Sequence, residues 1–362
     1  MTTTHVLVAG TGRHRAPAAA IGPSVGRIGG LAVALGIGVG LAAVPWQASA
    51  DVSTDSAATT VNSTNSRGNF SVSIGGVQLA QHGTASATSE PFSIAIARGD
   101  NSTATASGFL SGAVAFGNNS TAEATGGNFN TAVVFGDNSK ASATGGSFNR
   151  VVVRGNNSSG TALTPAGSAT VQCRGMQVSG CNNVTVMGDN SHASAQGSGN
   201  VARVSGNVST ASVTGTTSSA EVTGDNSTAD AGGAGSVNNT ASVTADNSTA
   251  SAGVGTNNSS NVATVSNTGT LDGSVIASAG DGNNNTNNTA TITSDGTVQG
   301  TNAIQATAGS GMNLTNNTAT ATNHGTVIGT GAVIATANDG TASKPYASTW
   351  IVGEGAVISV FP

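Results

Sequence analysis

Five aspartates recur in one short phrase. Asp100, Asp137, Asp189, Asp225 and Asp246 each precede Asn-Ser, and repeated carboxylates are the oxygen donors a calcium ion takes. Asn118 and Asn156 hold equivalent places, however, and a neutral amide there suits a tight turn better than a divalent cation. His82, His192 and His324 are isolated in sequence, and no nucleophile motif accompanies them. A polysaccharide-active β-helix enzyme would need convergent acids, bases or calcium ligands. The sequence therefore predicts no catalytic residue, no metal and no cofactor. Cys173 and Cys181 are the two cysteines, at a spacing that matches no common metal site. In an oxidising compartment they are expected to close a local disulfide worth about 2 to 3 kcal/mol, the alternative being two free thiols.

One column of side chains has a different character. Arg98, Phe116, Phe135, Arg154, Arg174 and Met187 each precede the glycine of the recurring phrase. Beside them stand Ile96, Val114, Val133 and Val152, whereas later copies carry Ser205, Thr223 and Thr244 in the first column. An apolar stripe flanked by arginines is unusual for a solvated face, so the residues predict an oligomer interface or a protein or glycan partner site. Burial under a folded-back segment 51–90 would explain the stripe equally well.

These residues are positioned by a repeat. Anchors at Gly99, Gly117, Gly136, Gly155, Gly175, Gly188, Gly206, Gly224 and Ala245 are separated by 18, 19, 19, 20, 13, 18, 18 and 21 residues. The rung holding the cysteines thus reads as a short one. Two residues before each anchor stand Ala97, Ala115, Val134, Val153, Cys173, Val186, Val204, Val222 and Val243; four before it stand Ala95, Ala113, Ala132, Val151, Val171, Val184, Ala202, Ala220 and Ala241. The column between them is mixed, running from Ile96 through Gln172 to Glu221, and this period-2 contrast is what a strand with one buried face produces. After the turn a second strand places Ala104, Ala122, Ala141 and Ala193 in one inward column and Ala106, Ala124, Ala143 and Ala162 in another. Each rung is therefore two short strands joined by a Gly-Asp/Asn-Asn-Ser corner, in an all-β parallel β-solenoid with a thin Ala/Val core.

Composition agrees with that class. Of 362 residues, 7% are charged and 3% aromatic, too few for a thick core, and Gly fills 52 positions. So little apolar surface cannot hold one rung alone; hydrogen-bonded neighbours must stabilise it, and the array needs many rungs. The leader has Arg13, Arg15 and Arg27 before an apolar run over 28–44, then Ala48-Ser49-Ala50, and predicts a signal peptide over 1–50 cleaved after Ala50. Retention of the run as a membrane anchor is the alternative. Cleavage moves the net charge from -5 to -5 - 3 = -8, which argues against nucleic acid as a partner, and no membrane contact is expected afterwards. Residues 51–90 are expected to be a cap or linker, 91–255 the solenoid of 18–21-residue rungs, 256–345 a second solenoid with repeats of 27–29 residues and three strands per turn, and 346–362 a C-terminal cap strand.

The segment Ala113-Val-Ala-Phe-Gly-Asn-Asn-Ser-Thr-Ala-Glu-Ala-Thr-Gly126 and its copy over 132–145 resemble head repeats of trimeric autotransporter adhesins. The likeness spans about 95–255 and implies a parallel β-roll on a cell surface, with heads that bind host molecules. Rungs here are several residues longer than that family's. The Gly-Thr-Val/Leu repeats after 262 are similar to classical autotransporter passengers, though neither family's C-terminal barrel is recognisable in the last stretch, and the leader resembles those of mycobacterial secreted proteins. Together these readings predict an exported structural or adhesin-like surface or cell-envelope protein. The competing expectations are an ice- or crystal-surface binder, hinted at by Thr103, Thr105 and Thr121 but interrupted by Glu123, Lys140, His192 and Asp230, and a partly disordered envelope protein with Asn283–Asn288 as the most disorder-prone stretch.

Overall fold

The computed structural model describes residues 68–270, 275–299, 304–323, 327–328, 334–337, 346–351 and 359–360; the leader lies outside them. The chain starts with an antiparallel pair, β1 (Phe70–Ile74) and β2 (Val77–His82), and β1 also pairs antiparallel with β4 (Ile94–Arg98). β3 (Ser86–Ser89) and β5 (Thr103–Ala106) belong to a second sheet, and β6 (Gly112–Phe116) returns to the first. From there each turn of chain adds one parallel strand to each sheet, giving 14 and 13 strands among the described residues. The segment 51–90 thus contributes strands to both sheets in its described part, and β3 is already a parallel solenoid strand. At the far end Tyr346–Ile351 and Ser359–Val360 extend the same two sheets in parallel.

The Ala/Val columns form the core. Ala95, Ala97, Ala113, Ala115, Ala132, Val134, Val151 and Val153 are buried, and so are Ala104, Ala106, Ala122, Ala124, Ala141 and Ala143 of the facing sheet. One rung shows volume compensated across the core. Where the first sheet carries two valines, Val151 and Val153, the facing position is Gly160, and a β-carbon there would come within 2.7 Å of Val151 Cγ1.

Each corner residue has a separate task. Ser139 Oγ donates to Gly155 O at 2.6 Å and accepts the Ser158 N–H at 3.1 Å, and the same two bonds recur at Ser158, Ser191 and Ser209. Asn138, Asn157, Asn190 and Asn226 take left-handed backbone angles. The Asp/Asn position reaches back one rung: the Asp137 N–H donates to Asn156 Oδ1, and the Asn156 N–H to Asp189 Oδ1. Down this column the order is Asp100, Asn118, Asp137, Asn156, Asp189, Asn207, Asp225. As far as Asp225 this alternation separates like charges by about 9.6 Å, two rungs, where adjacent aspartates would stand about 4.8 Å apart; the next rung breaks it, the Asp225 N–H donating to Asp246 Oδ1. The asparagines that argued against calcium are thus spacers between carboxylates.

Two expectations need correction. Gly175 does not anchor a rung: Val151 pairs with Val184, so the turn from Gly155 to Gly188 is one rung of 33 residues. Its extra length is an antiparallel hairpin, Val171–Cys173 against Met176–Val178, tied by the Cys173–Cys181 disulfide with a Cα–Cα distance of 6.1 Å. Val171, Cys173 and Arg174 therefore leave the columns assigned to them, because Val-Gln-Cys-Arg-Gly copies the period-2 pattern of a rung strand. The later rungs also have more strands than expected. Short parallel pairs at Gly255–Thr256, Gly282–Asn283 and Gly311–Met312, and at Val298–Gln299 and Val327–Ile328, add two strand positions per turn to the two long ones. Within them Asn285 and Asn288 are buried and fully laddered, so the stretch Asn283–Asn288 is held by its amides.

Val208 interrupts the left-handed asparagine column with φ 56°. A β-branched residue is strained there, and Val208 is also exposed, so packing does not offset the strain. Val208→Asn should raise stability by about 1 kcal/mol, read as an upward shift in the urea midpoint at unchanged m-value.

Candidate functional site

The stripe forms as a continuous column. Parallel pairing puts Arg98, Phe116, Phe135, Arg154, Met187 and Ser205 side by side on successive rungs. The Phe116 and Phe135 rings lie 5.5 Å apart, and the Arg154 guanidinium sits 5.8 Å from the Phe135 ring centre. Val114, Val133 and Val152 fill the adjacent column with Ile96. They alternate with the core residues along each strand, yet Val114 is only 3% exposed and Ile96 only 8%. The antiparallel β1 extends the same surface, placing Phe70 beside Arg98, Val72 beside Ile96 and Ile74 beside Ile94. Reversed strand direction hides that continuation from the repeat alignment.

Arg174 is not part of this column. It lies in the turn of the disulfide hairpin, with its guanidinium 5.9 Å from the ring of Phe148. Phe148 belongs to a second aromatic set at the other end of the first-sheet strands, away from the glycine anchors. Phe92, Phe109, Phe129 and Phe148 follow one another at 5.6, 5.8 and 4.7 Å between ring centres. The signal was present in the sequence: Gly-Gly-Asn-Phe-Asn over 126–130 and Gly-Gly-Ser-Phe-Asn over 145–149 recur at the rung spacing.

No protein-family model and no curated protein matches this chain. Its functional reading rests on the surfaces themselves.

On the second sheet Ser159 and His192 are register partners, with Ser159 Oγ 2.7 Å from His192 Nδ1. No carboxylate among the described residues is hydrogen-bonded to the ring, and the pair stands on an open strand face, so it lacks the parts that acyl transfer needs. Burial pushes the carboxyls of Asp230 and Asp281 above their ordinary range. For Asp281, hydrogen bonds from Ser278, the Val254 N–H and Ser251 oppose that rise, while the charge of Asp230 adds to it. Among the described residues no three His, Cys, Asp or Glu side chains gather as a metal site. Among them also no helix is long and apolar enough to cross a membrane.

Proposed function

We propose that this chain is an exported, non-enzymatic structural protein of the cell surface or envelope, adhesin-like in build, that self-associates through the stripe on its first sheet. The observation that carries the reading is the stacked Phe116, Phe135 and Arg154 column beside Val114, Val133 and Val152 on consecutive rungs. With β1 included, the column crosses five strands at a spacing of about 4.8 Å; Val114, Val152 and Ile96 are already buried beneath it, so the surface offered for contact is the half-exposed ring column of Phe116 and Phe135 with exposed Phe70, Arg98 and Arg154 beside it. A rigid solenoid holds the side chains at fixed intervals, which lowers the ordering cost of association.

The double substitution Phe116→Ser and Phe135→Ser introduces the hydroxyl residue that the Gly206 rung carries as Ser205, so the strands should still pair. Sedimentation velocity should then show loss of the oligomer and retention of the far-UV spectrum. An unchanged sedimentation coefficient across a wide range of concentrations would remove the stripe as the self-association surface.

A further inference from the structure

The corner before each first-sheet strand from β4 to Thr318–Asn323 contains one residue in the left-handed region. Down the solenoid that column reads Phe92, Leu110, Phe129, Phe148, Cys181, Gly199, Thr217, Asn238, Ser260, Asn287 and Asn316. Later rungs use small or polar residues there, mostly Asn, Ser and Gly, whereas the first four use large apolar ones at φ values of 66°, 54°, 58° and 62°. None of those side chains is fully buried in return: Phe92 is 66% exposed, Leu110, Phe129 and Phe148 are half-buried, and Phe109, which joins the ring column beside Leu110, is 47% exposed. The backbone strain recurs at four successive rungs without full burial of the side chains to offset it, and the rings of Phe92 and Phe109 stand exposed, which is the pattern of a surface kept for contact.

We infer that this aromatic edge docks on a lipid bilayer surface. The solenoid is amphipathic from edge to edge over these rungs. Its opposite corner carries exposed Asp100, Asn101, Asn118, Asn119, Asp137 and Asn138. The aromatic edge is a ridge of four rungs, about 20 Å long and one side chain wide. Its area of about 200 Å² is a quarter of what each partner buries in an ordinary protein interface, so a second copy would gain little from it. The Phe129 and Phe148 rings stack on each other at 4.7 Å with planes 5° apart, while Phe109 packs against Phe129 at 5.8 Å and the Arg174 guanidinium lies over Phe148, so the two rings are crowded on both sides against a sugar ring. A bilayer takes up a convex apolar edge without a matching groove and leaves the acidic edge in water. Arg150 and Arg174, both exposed at the far end of the ridge, are placed to meet lipid phosphates. This edge is separate from the stripe, and it replaces the expectation that the chain has no membrane contact after its leader is removed.

The test uses the variant Phe92→Asn, Phe129→Asn and Phe148→Asn, which installs the residue found at Asn238, Asn287 and Asn316. Residues 1–50 are removed, because the apolar run over 28–44 would bind vesicles by itself; Thr59–Pro362 is a compact unit without them. In co-sedimentation with vesicles of phosphatidylcholine and phosphatidylglycerol, the unsubstituted protein should bind. The variant should bind about a hundredfold more weakly, since three phenyl groups no longer leave water, and should melt at an equal or higher temperature. Failure of the unsubstituted protein to bind vesicles, or equal binding by a variant that melts normally, overturns the inference. Absence of vesicle binding together with loss of self-association in the variant overturns it in favour of a second copy as the occupant, a result distinct from that of the Phe116 and Phe135 substitutions.

Discussion

Gly136→Ala should lower the stability of the solenoid by about 4 kcal/mol or more, an effect large enough to break the array where it stands. A β-carbon at Gly136 would overlap the carbonyl oxygen of Gly155 on the next rung and sit 2.6 Å from its carbonyl carbon. Both atoms are backbone, pinned by the Ser139 bond to Gly155 O, so neither can yield without opening the ladder. The φ of 147° adds strain of its own for an L-residue. The same overlap awaits at Gly117, Gly155 and Gly188. Ala245 occupies the column at the point where rungs lengthen, and the following rung carries the longer segment after Asn267 there in place of the four-residue corner. In a one-dimensional array a failed interface divides the stack in two. Urea unfolding should therefore split into two transitions, and limited proteolysis should cut near the Gly136 corner. Gly68→Ala, at a site with open space around it, should leave a single transition at the unsubstituted midpoint. A Gly136→Ala protein that unfolds in one step at that same midpoint would refute the close approach of the corners.

The sequence carried the inward columns because a strand with one buried face forces a period of two, and that period survives the change from Ala115 to Val134. The disulfide between Cys173 and Cys181, expected as the local pairing of the two cysteines, is present. What period 2 could not do was separate a rung strand from the strand of a surface hairpin, since both alternate. Val171 and Cys173 satisfy the inward template while lying outside the stack, and Arg174 was carried into the stripe with them. The corners were opaque for a related reason. Left-handed residues belong to neither strand period, so although the Phe129 and Phe148 phrases recur in sequence, Phe92 and Leu110 join their column only once the buried Ser93, Ser111, Asn130 and Asn149 that follow are known to stack. The alternation of Asp137, Asn156 and Asp189 was visible in the sequence, but its cause is a distance between rungs, and that needs the fold.

Those buried corner residues support the second large effect. Asn200→Ala should destabilise the solenoid by about 3 kcal/mol, although it removes a polar side chain from the interior. Asn200 is fully buried, and its amide donates at 2.8 Å to both Gln196 O, in the preceding strand His192–Ser198, and Gly215 O, on the next rung. Its Oδ1 accepts the Ser218 N–H at 2.9 Å, and its own N–H is held by Asn182 Oδ1. Alanine would strand one backbone donor and two carbonyls in a corner too tight for water to reach easily, and each orphan costs about 1 kcal/mol or more. The next rung supplies the control. Ser218 occupies the same column, and its Oγ accepts the Asn239 N–H at 3.1 Å, so a short hydroxyl keeps the donor satisfied. Asn200→Ser should accordingly cost about half as much as Asn200→Ala. Amide hydrogen exchange separates the two further: the Ser218 N–H should lose protection in the alanine variant and keep most of it in the serine variant. Equal losses of stability and protection in both would mean that the ladder is held by the strands alone, with the asparagine column as a passenger.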